Sequence, residues 1–170
     1  QEPIDHVYNW GQSVIQDFNE IDRYQIDANQ FFGNIKAIKD IEHWSKSDVK
    51  TDLVENYIEF WERLPKYYHE LKANLKSKNK AYQGMAYLEA VKNIEAYSKN
   101  SSRNFYLLGF NALNTCEEVI FQTIIDQNRG KAFWDIDNYL YDNHIAGMFL
   151  RHYSKTWPYY SRESLVPSTN

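Results

Sequence analysis

The segment from Phe105 to Tyr153 constrains the fold of this chain most, because it alternates between strand-like and helix-like patterns. Residues 105–110, FYLLGF, form a short apolar run of strand-forming residues, and residues 131–136, KAFWDI, form a second. Between the two runs, Thr115 and Glu118 have the spacing of a capping box, which predicts the start of a helix. The pattern therefore predicts the order strand, helix, strand, helix.

Two strands that are joined through a helix are expected to pair in parallel, with a right-handed crossover. A parallel sheet normally has more than two strands and is covered by helices on both faces. A sheet of only two strands would leave its unpaired edges and half-covered faces in water. We therefore expect this sheet to be one part of a larger core, and the absence of an initiating Met fits an excised or processed segment.

The sequence up to about Ser98 has the apolar periodicity of amphipathic helices. It predicts one helix before a short polar connection at 22–27. Three more helices are predicted after the connection, at 28–38, 47–75 and 80–97. Pro65 is expected to kink or restart the third helix, because proline cannot donate a backbone hydrogen bond. Gly84, inside the fourth helix, predicts close backbone packing.

These elements predict a mainly α protein, with an N-terminal helical bundle followed by a small β-α-β-α fragment that contains two parallel strands. The polar run KNSSRN is the clearest boundary, and the tail SRESLVPSTN is expected to fray. The predicted division is a helical subdomain over 1–98, a linker over 99–104, the β-α-β-α fragment over 105–160 and a flexible tail over 161–170.

Composition and charge narrow the class of protein. The chain has 170 residues, 43% hydrophobic and 25% charged, which is typical of a globular domain. A net charge of −4 argues against a protein that coats nucleic acid or a membrane through one basic face. The single cysteine, Cys116, excludes an intramolecular disulfide and favours the reducing cytoplasm. No apolar run approaches the length that spans a bilayer, so no membrane partner is expected.

Motifs for nucleotide hydrolysis are missing, since the sequence contains neither a P-loop nor GxGxxG. A metal site could be imagined from six residues, Glu117, Glu118, Asp135, Asp137, Asp142 and His144. The two glutamates, however, suit the first turn of a helix, and the aspartates lack the Gly and the Glu of a calcium loop. Cys116 is more simply interpreted as a buried, inert thiol than as a nucleophile. We expect no catalytic residue and no metal ligand in this segment.

A lysine-rich segment, KANLKSKNKAY, carries the only concentrated positive charge in the sequence. Lysines bind phosphates, and a neighbouring aromatic ring can stack on a base. We therefore predict a nucleic-acid-binding site formed by Lys72, Lys76, Lys78, Lys80 and Tyr82. The alternative is a solvated helix end, where lysines also interact favourably with the helix dipole.

Four stretches that span most of the chain carry a resemblance to a known family: YNWGQSVIQDFNEIDRYQIDANQFFGNI (8–35), FWERLPKYYHELKANLKSKNKAYQGMAY (60–87), LLGFNALNTCEEVIFQ (107–122) and FWDIDNYLYDNHIAGMFLR (133–151). In this order they resemble the helicase-like region of large AddB-like proteins of the Bacteroidetes type. Such proteins carry a C-terminal PD-(D/E)XK nuclease domain, whose motif does not occur in this sequence.

The resemblance implies a part in double-strand break repair and recombination, where a helicase unwinds a DNA end and an exonuclease resects it. This segment would be a non-catalytic helicase-like scaffold, with a helical insertion over 1–98 and a piece of a RecA-like core over 105–160. The implied partners are DNA, an AddA-like helicase subunit and the remaining domains of the parent protein. Mg²⁺ is then expected for the parent nuclease domain, and no cofactor for this segment.

Two alternatives stay open on the sequence alone. A freestanding helical interaction module would use the aromatic residues, 16% of the chain, to line a groove for a partner. A small metal-dependent hydrolase would need Glu118, Asp135, Asp137 and His144 to converge on one ion.

Overall fold

The structure, a computed structural model, describes residues 4–46 and 52–160. Within these ranges it is mainly helical with one small parallel sheet, which confirms the predicted fold class. The elements are α1 (Ile4–Arg23), α2 (Ala28–Lys46), α3 (Asp52–Ser77), α4 (Gln83–Asn100), β1 (Phe105–Leu108), α5 (Thr115–Asp126), β2 (Gly130–Phe133), α6 (Asn138–Asn143), a 3-10 turn (Ile145–Gly147) and α7 (Met148–Thr156). The predicted helix start near Ser47 and the predicted tail over 161–170 lie outside the described residues.

The chain divides into two compact units, Gln1–Leu88 and Glu89–Asn170, and the division falls inside α4. The segment over 99–104 contains the end of α4 and the residues that lead into β1. The domain boundaries drawn from the sequence therefore stay a prediction.

The core of the first unit forms where α1, α2 and α3 meet. Its buried side chains are Phe18, Ile21, Ala28, Phe32, Leu64 and Tyr68. The rings of Phe18, Phe32 and Tyr68 pack edge to face, with centroid separations of 5.2 to 6.1 Å. This geometry brings the positive edge of one ring to the negative face of the next, so the contacts stabilise the unit beyond the area they bury.

Helix α3 passes through Pro65 without interruption, so of the two outcomes predicted at this residue, a kink or a restart, the restart does not occur. Proline still removes one backbone hydrogen bond from the helix. Leu64 and Tyr68 on either side are both buried in the core, and this packing keeps the helix continuous, since tertiary contacts supply most of a helix's stability.

The second unit contains the parallel sheet, in which β1 pairs with β2 in the register Phe105↔Gly130 to Leu108↔Phe133. The predicted parallel pairing is confirmed. Helix α5 connects the strands, and its capping box uses Asn114 and Glu117 rather than the predicted Thr115 and Glu118. The shift by one residue has a local cause, because asparagine is a better N-cap than threonine.

Aromatic side chains build the core of the second unit around Trp134, which packs against two groups of buried residues. The first group is Leu113, Tyr153 and Trp157, and the second is Ile136, Tyr141 and Leu150. The hydroxyl of Tyr153, which is fully buried, accepts a hydrogen bond of 2.9 Å from the backbone N–H of Leu113. This contact fastens α7 to the segment that precedes α5.

Candidate nucleic-acid interface

The predicted lysine site lies where α3 ends, and a Schellman motif fixes the backbone there. Asn79 adopts a left-handed conformation, with φ of 51°. The N–H of Lys80 donates to the carbonyl of Leu75 at 2.9 Å, and that of Asn79 donates to Lys76 at 3.1 Å. These two bonds satisfy carbonyls that a helix end leaves free. They also explain why α4 begins at Gln83 and not at the predicted Lys80, since the chain has turned away from helical geometry at Asn79.

Three of the predicted residues, Lys76, Lys78 and Lys80, lie on this helix end and the turn after it, and all three are exposed. Within the described part of the chain, their ammonium groups form no ion pair with a carboxylate. Their positive charge is therefore available to a phosphate in solution.

The other two predicted residues, Lys72 and Tyr82, point to a buried carboxylate, Asp22, whose side chain is only 1% exposed. The Lys72 ammonium donates to Oδ1 of Asp22 at 2.7 Å, and the Tyr82 hydroxyl donates to Oδ2 at 2.6 Å. The Tyr68 hydroxyl also donates to Oδ1. We call these four residues, Asp22, Tyr68, Lys72 and Tyr82, the Asp22 cluster.

Electrostatics in the Asp22 cluster keep both tyrosines protonated. Burial, and then the hydrogen bond to the Asp22 carboxylate, raises the pKa of Tyr68 and of Tyr82 above the ordinary value for tyrosine. Lys72 also lies over the ring of Tyr68, with its ammonium 4.4 Å from the centroid. The cluster is thus a set of donors that converge on one carboxylate, and its lysine is not free to follow a DNA backbone.

Gly84 anchors the start of α4 against α1 beside the Asp22 cluster. Its N–H donates to Oδ1 of Asn19 at 2.6 Å. A Cβ at this position would stand 2.5 Å from the carbonyl oxygen of Asn19 and 2.8 Å from Cβ of Asp22, so only glycine fits. The predicted close backbone packing at Gly84 is confirmed, and the turn that carries Lys78 and Lys80 is held at both ends.

Sequence reasoning missed Asp22, which it assigned to the polar connection 22–27. The structure instead places Asp22 in the last turn of α1, on the buried side. A signal was present in the i, i+4 pair of Tyr68 and Lys72, because these residues share one face of the helix and a partly buried lysine is stabilised by a nearby carboxylate.

Three of the residues that could be imagined as a metal site have structural contacts. Glu117 completes the capping box of α5, and Asp137 caps α6 by accepting from the N–H of Leu140 at 2.7 Å. Nδ1 of His144 accepts from the N–H of Ala146 at 3.1 Å. Among the described residues, no three His, Cys, Asp or Glu side chains lie together as metal ligands would. Cys116 is buried in the first turn of α5.

A second surface of interest is the outer face of the sheet, formed by Tyr106, Leu108, Lys131 and Phe133. Tyr106 and Leu108 are 66% and 64% exposed, and Phe133 is also exposed. The rings of Tyr106 and Phe133 are neighbours, with centroids 6.4 Å apart. Alternate residues of each strand point to the other face, where Ala132 is buried. The sheet is therefore covered on one face and open on the other.

The edges of this sheet also bear on the expectation of a larger core. Across the described ranges, each strand has the other as its one strand partner. The backbone N–H of Phe105 donates to the carbonyl of Arg129, the residue before β2. Because backbone groups alternate in direction along a parallel strand, the N–H and C=O groups of Tyr106 and Leu108 point away from β2. The open edge and the open apolar face agree with what the incomplete-sheet interpretation requires.

Two further findings complete the description of the site. None of the helices in the described ranges is long and apolar enough to cross a membrane. Comparison with known proteins finds no match to the chain among family models, curated proteins or solved structures.

Proposed function

We propose that this chain is a non-catalytic, helicase-like scaffold segment of a DNA helicase-nuclease that processes the ends of double-strand breaks. The observation that carries the scaffold part is the outer face of the sheet, where Tyr106, Leu108 and Phe133 are open to solvent. Parallel sheets are normally covered on both faces, so this apolar surface is suited to packing against other domains of a parent protein. The helicase-nuclease part rests on the sequence resemblance.

The exposed lysines support the contact with DNA. Lys76, Lys78 and Lys80 hold three positive charges on a backbone that the Schellman motif keeps in place. A phosphate backbone needs charge and not base-edge chemistry, so the binding is expected to be independent of DNA sequence. Lys72 and Tyr82, which were part of the predicted site, act in this proposal by fixing the position of the helix end.

Fluorescence anisotropy with a labelled DNA duplex tests the DNA contact. We expect the dissociation constant to lie at roughly 10⁻⁴ to 10⁻⁶ M. Three phosphate contacts predict a salt slope of about −2.7, so affinity should fall about 40-fold between 50 and 200 mM salt. A chain that does not bind at 50 mM salt and a concentration of about 100 μM would contradict the proposed DNA contact.

A matched pair of triple variants locates the contact. Changing Lys76, Lys78 and Lys80 to Glu should weaken binding at least tenfold and remove most of the salt slope. The control changes Lys66, Lys92 and Lys155 to Glu, which alters the net charge of the chain by the same amount at other exposed positions. Equal losses in the two variants would show that only net charge matters, and the lysine site would then be wrong.

The scaffold part is tested by the reading frame of the source gene on both sides of this segment. A frame that continues into a P-loop-like region upstream and a PD-(D/E)XK signature downstream supports the helicase-nuclease assignment. A frame that stops close to Gln1 and Asn170 contradicts it and favours the freestanding interaction module.

A further inference from the structure

A cavity of about 680 Å³ lies between α1, α2 and α3 in the first unit. Six aromatic side chains line it: Trp10, Phe18, Phe31, Phe32, Phe60 and Trp61. Phe18 and Phe32 are buried, whereas Trp10 and Phe31 are partly exposed, so the cavity reaches from the core to the surface. Its volume falls within the roughly 300 to 1,000 Å³ that small-molecule sites occupy. We call it the aromatic cavity.

The polar residues of the aromatic cavity are acidic or neutral. They are Ser13, Asp17 and Glu20, and no Lys, Arg or His is among the residues that line it. Glu20 is already paired with Arg23 at 2.9 Å. Asp17 is exposed and, within the described ranges, forms no hydrogen bond or ion pair. One uncompensated carboxylate therefore stands beside an aromatic interior.

We propose that the aromatic cavity binds a small organic cation, with the apolar body of the ligand among the rings and its charged end beside Asp17. Aromatic faces carry negative charge density and attract cations, and the carboxylate adds to this attraction. The aromatic faces and the Asp17 carboxylate would repel an anion. A neutral molecule would gain only the apolar contact. This site is independent of the DNA contact, since it uses none of the exposed lysines.

Three probes that share one apolar body measure the charge preference directly. They are 4-phenylbutylamine, which is a cation at pH 7, the neutral 4-phenylbutanol and the anionic 4-phenylbutanoate. We expect the amine to bind to the full chain at low millimolar concentration or tighter, as the size of the probe allows. It should bind roughly tenfold more tightly than the alcohol, because one cation–π contact and one exposed ion pair each contribute a few-fold. The anion should bind most weakly.

Two-dimensional NMR of the tryptophan indole groups shows where the probes bind. The signals of Trp10 and Trp61, which line the aromatic cavity, should shift with the amine. Those of Trp134 and Trp157, which lie in the core of the second unit, should stay unchanged.

Two variants separate the charge from the apolar cavity. Asp17→Asn should weaken binding of the amine about threefold and leave the alcohol unaffected. Asp135→Asn makes the same chemical change at an exposed position in the second unit and serves as the control. Ser13→Trp, at an exposed position beside the cavity, should block all three probes while the helices still form.

The binding of the three probes to the unmodified chain tests the proposal even where a variant fails to fold. Tighter binding of the amine, with shifts at Trp10 and Trp61, supports a cation site. Equal binding of the amine and the alcohol would refute the role of charge. If the anion binds best, or if no probe shifts those signals at 10 mM, the proposal is overturned.

Discussion

Replacing Asp22 with Asn tests whether the Asp22 cluster stabilises the first unit through charge. The carboxylate accepts three hydrogen bonds, from Tyr68 and Lys72 on one oxygen and from Tyr82 on the other. Asparagine keeps one acceptor oxygen and places an N–H₂ donor where the second oxygen was. At least one donor therefore loses its acceptor, and Lys72 loses its counter-charge.

The size of the loss follows from these contacts. A hydrogen bond to a charged group contributes about 1.5 to 3 kcal/mol, and a neutral one about 0.5 to 1.5 kcal/mol. One lost bond and two bonds weakened by about 1 to 1.5 kcal/mol each would sum to about 3.5 to 6 kcal/mol. Lys72 is 26% exposed, so water replaces part of its interaction and the sum must be reduced. We expect Asp22→Asn to lower the free energy of unfolding by about 2 to 4 kcal/mol.

Urea unfolding followed by circular dichroism measures this loss. Asp17→Asn is the matched control, because it makes the same change on the same helix at an exposed residue and should cost less than about 0.5 kcal/mol. Lys72→Met should cost at least as much as Asp22→Asn, because it leaves the buried Asp22 carboxylate without a counter-charge, whereas the partly exposed Lys72 ammonium can still reach water when Asp22 is replaced. A cost for Asp22→Asn that equals the control's would show that the cluster's charge contributes nothing, and the reasoning above would be wrong.

Three further changes have defined outcomes. Gly84→Ala should destabilise the first unit by about 1 to 3 kcal/mol in urea unfolding, because its Cβ meets the carbonyl of Asn19 at 2.5 Å. Tyr153→Phe should cost about 1 to 3 kcal/mol by the same assay, since the N–H of Leu113 loses its acceptor. Folding raises the pKa of Tyr82, so above a pH of about 10 the unfolded chain loses the Tyr82 proton before the folded chain does. The free energy of unfolding therefore falls as pH rises. Tyr82→Phe should make this fall shallower, as measured by unfolding curves between about pH 9 and 11. An unchanged slope would mean that Tyr82 does not titrate differently in the two states.

The elements that the sequence predicted well are those with local causes. The apolar periodicity of the helices and the apolar runs of β1 and β2 each depend on a few consecutive residues. Parallel pairing followed from the connection through α5. The capping box was predicted one residue late because Asn114 and Thr115 are adjacent and both residue types cap helices, and the stronger cap, asparagine, is the one that the helix uses.

The errors arise where distant residues decide the outcome. Tyr68, Lys72 and Tyr82 reach Asp22 from 46, 50 and 60 residues along the chain, and no local pattern carries that information. As a result, Lys72 and Tyr82 looked like members of one basic patch with Lys76. The continuity of α3 through Pro65, where a kink or a restart was predicted, likewise depends on core packing that its local sequence does not reveal.

The open edge of β1 has a consequence for the behaviour of this chain at high concentration. Its sequence, FYLL, carries no charge and no proline, so a strand from a second molecule meets no repulsion there. Lys131, on β2, is the one charged residue in the two strands. Natural sheets discourage such edge-to-edge growth with charged residues, and Leu108→Lys would supply one at an exposed position outside both cores. We therefore expect the four residues of β1 to limit the solubility of this chain at high concentration, in addition to the effect of its net charge.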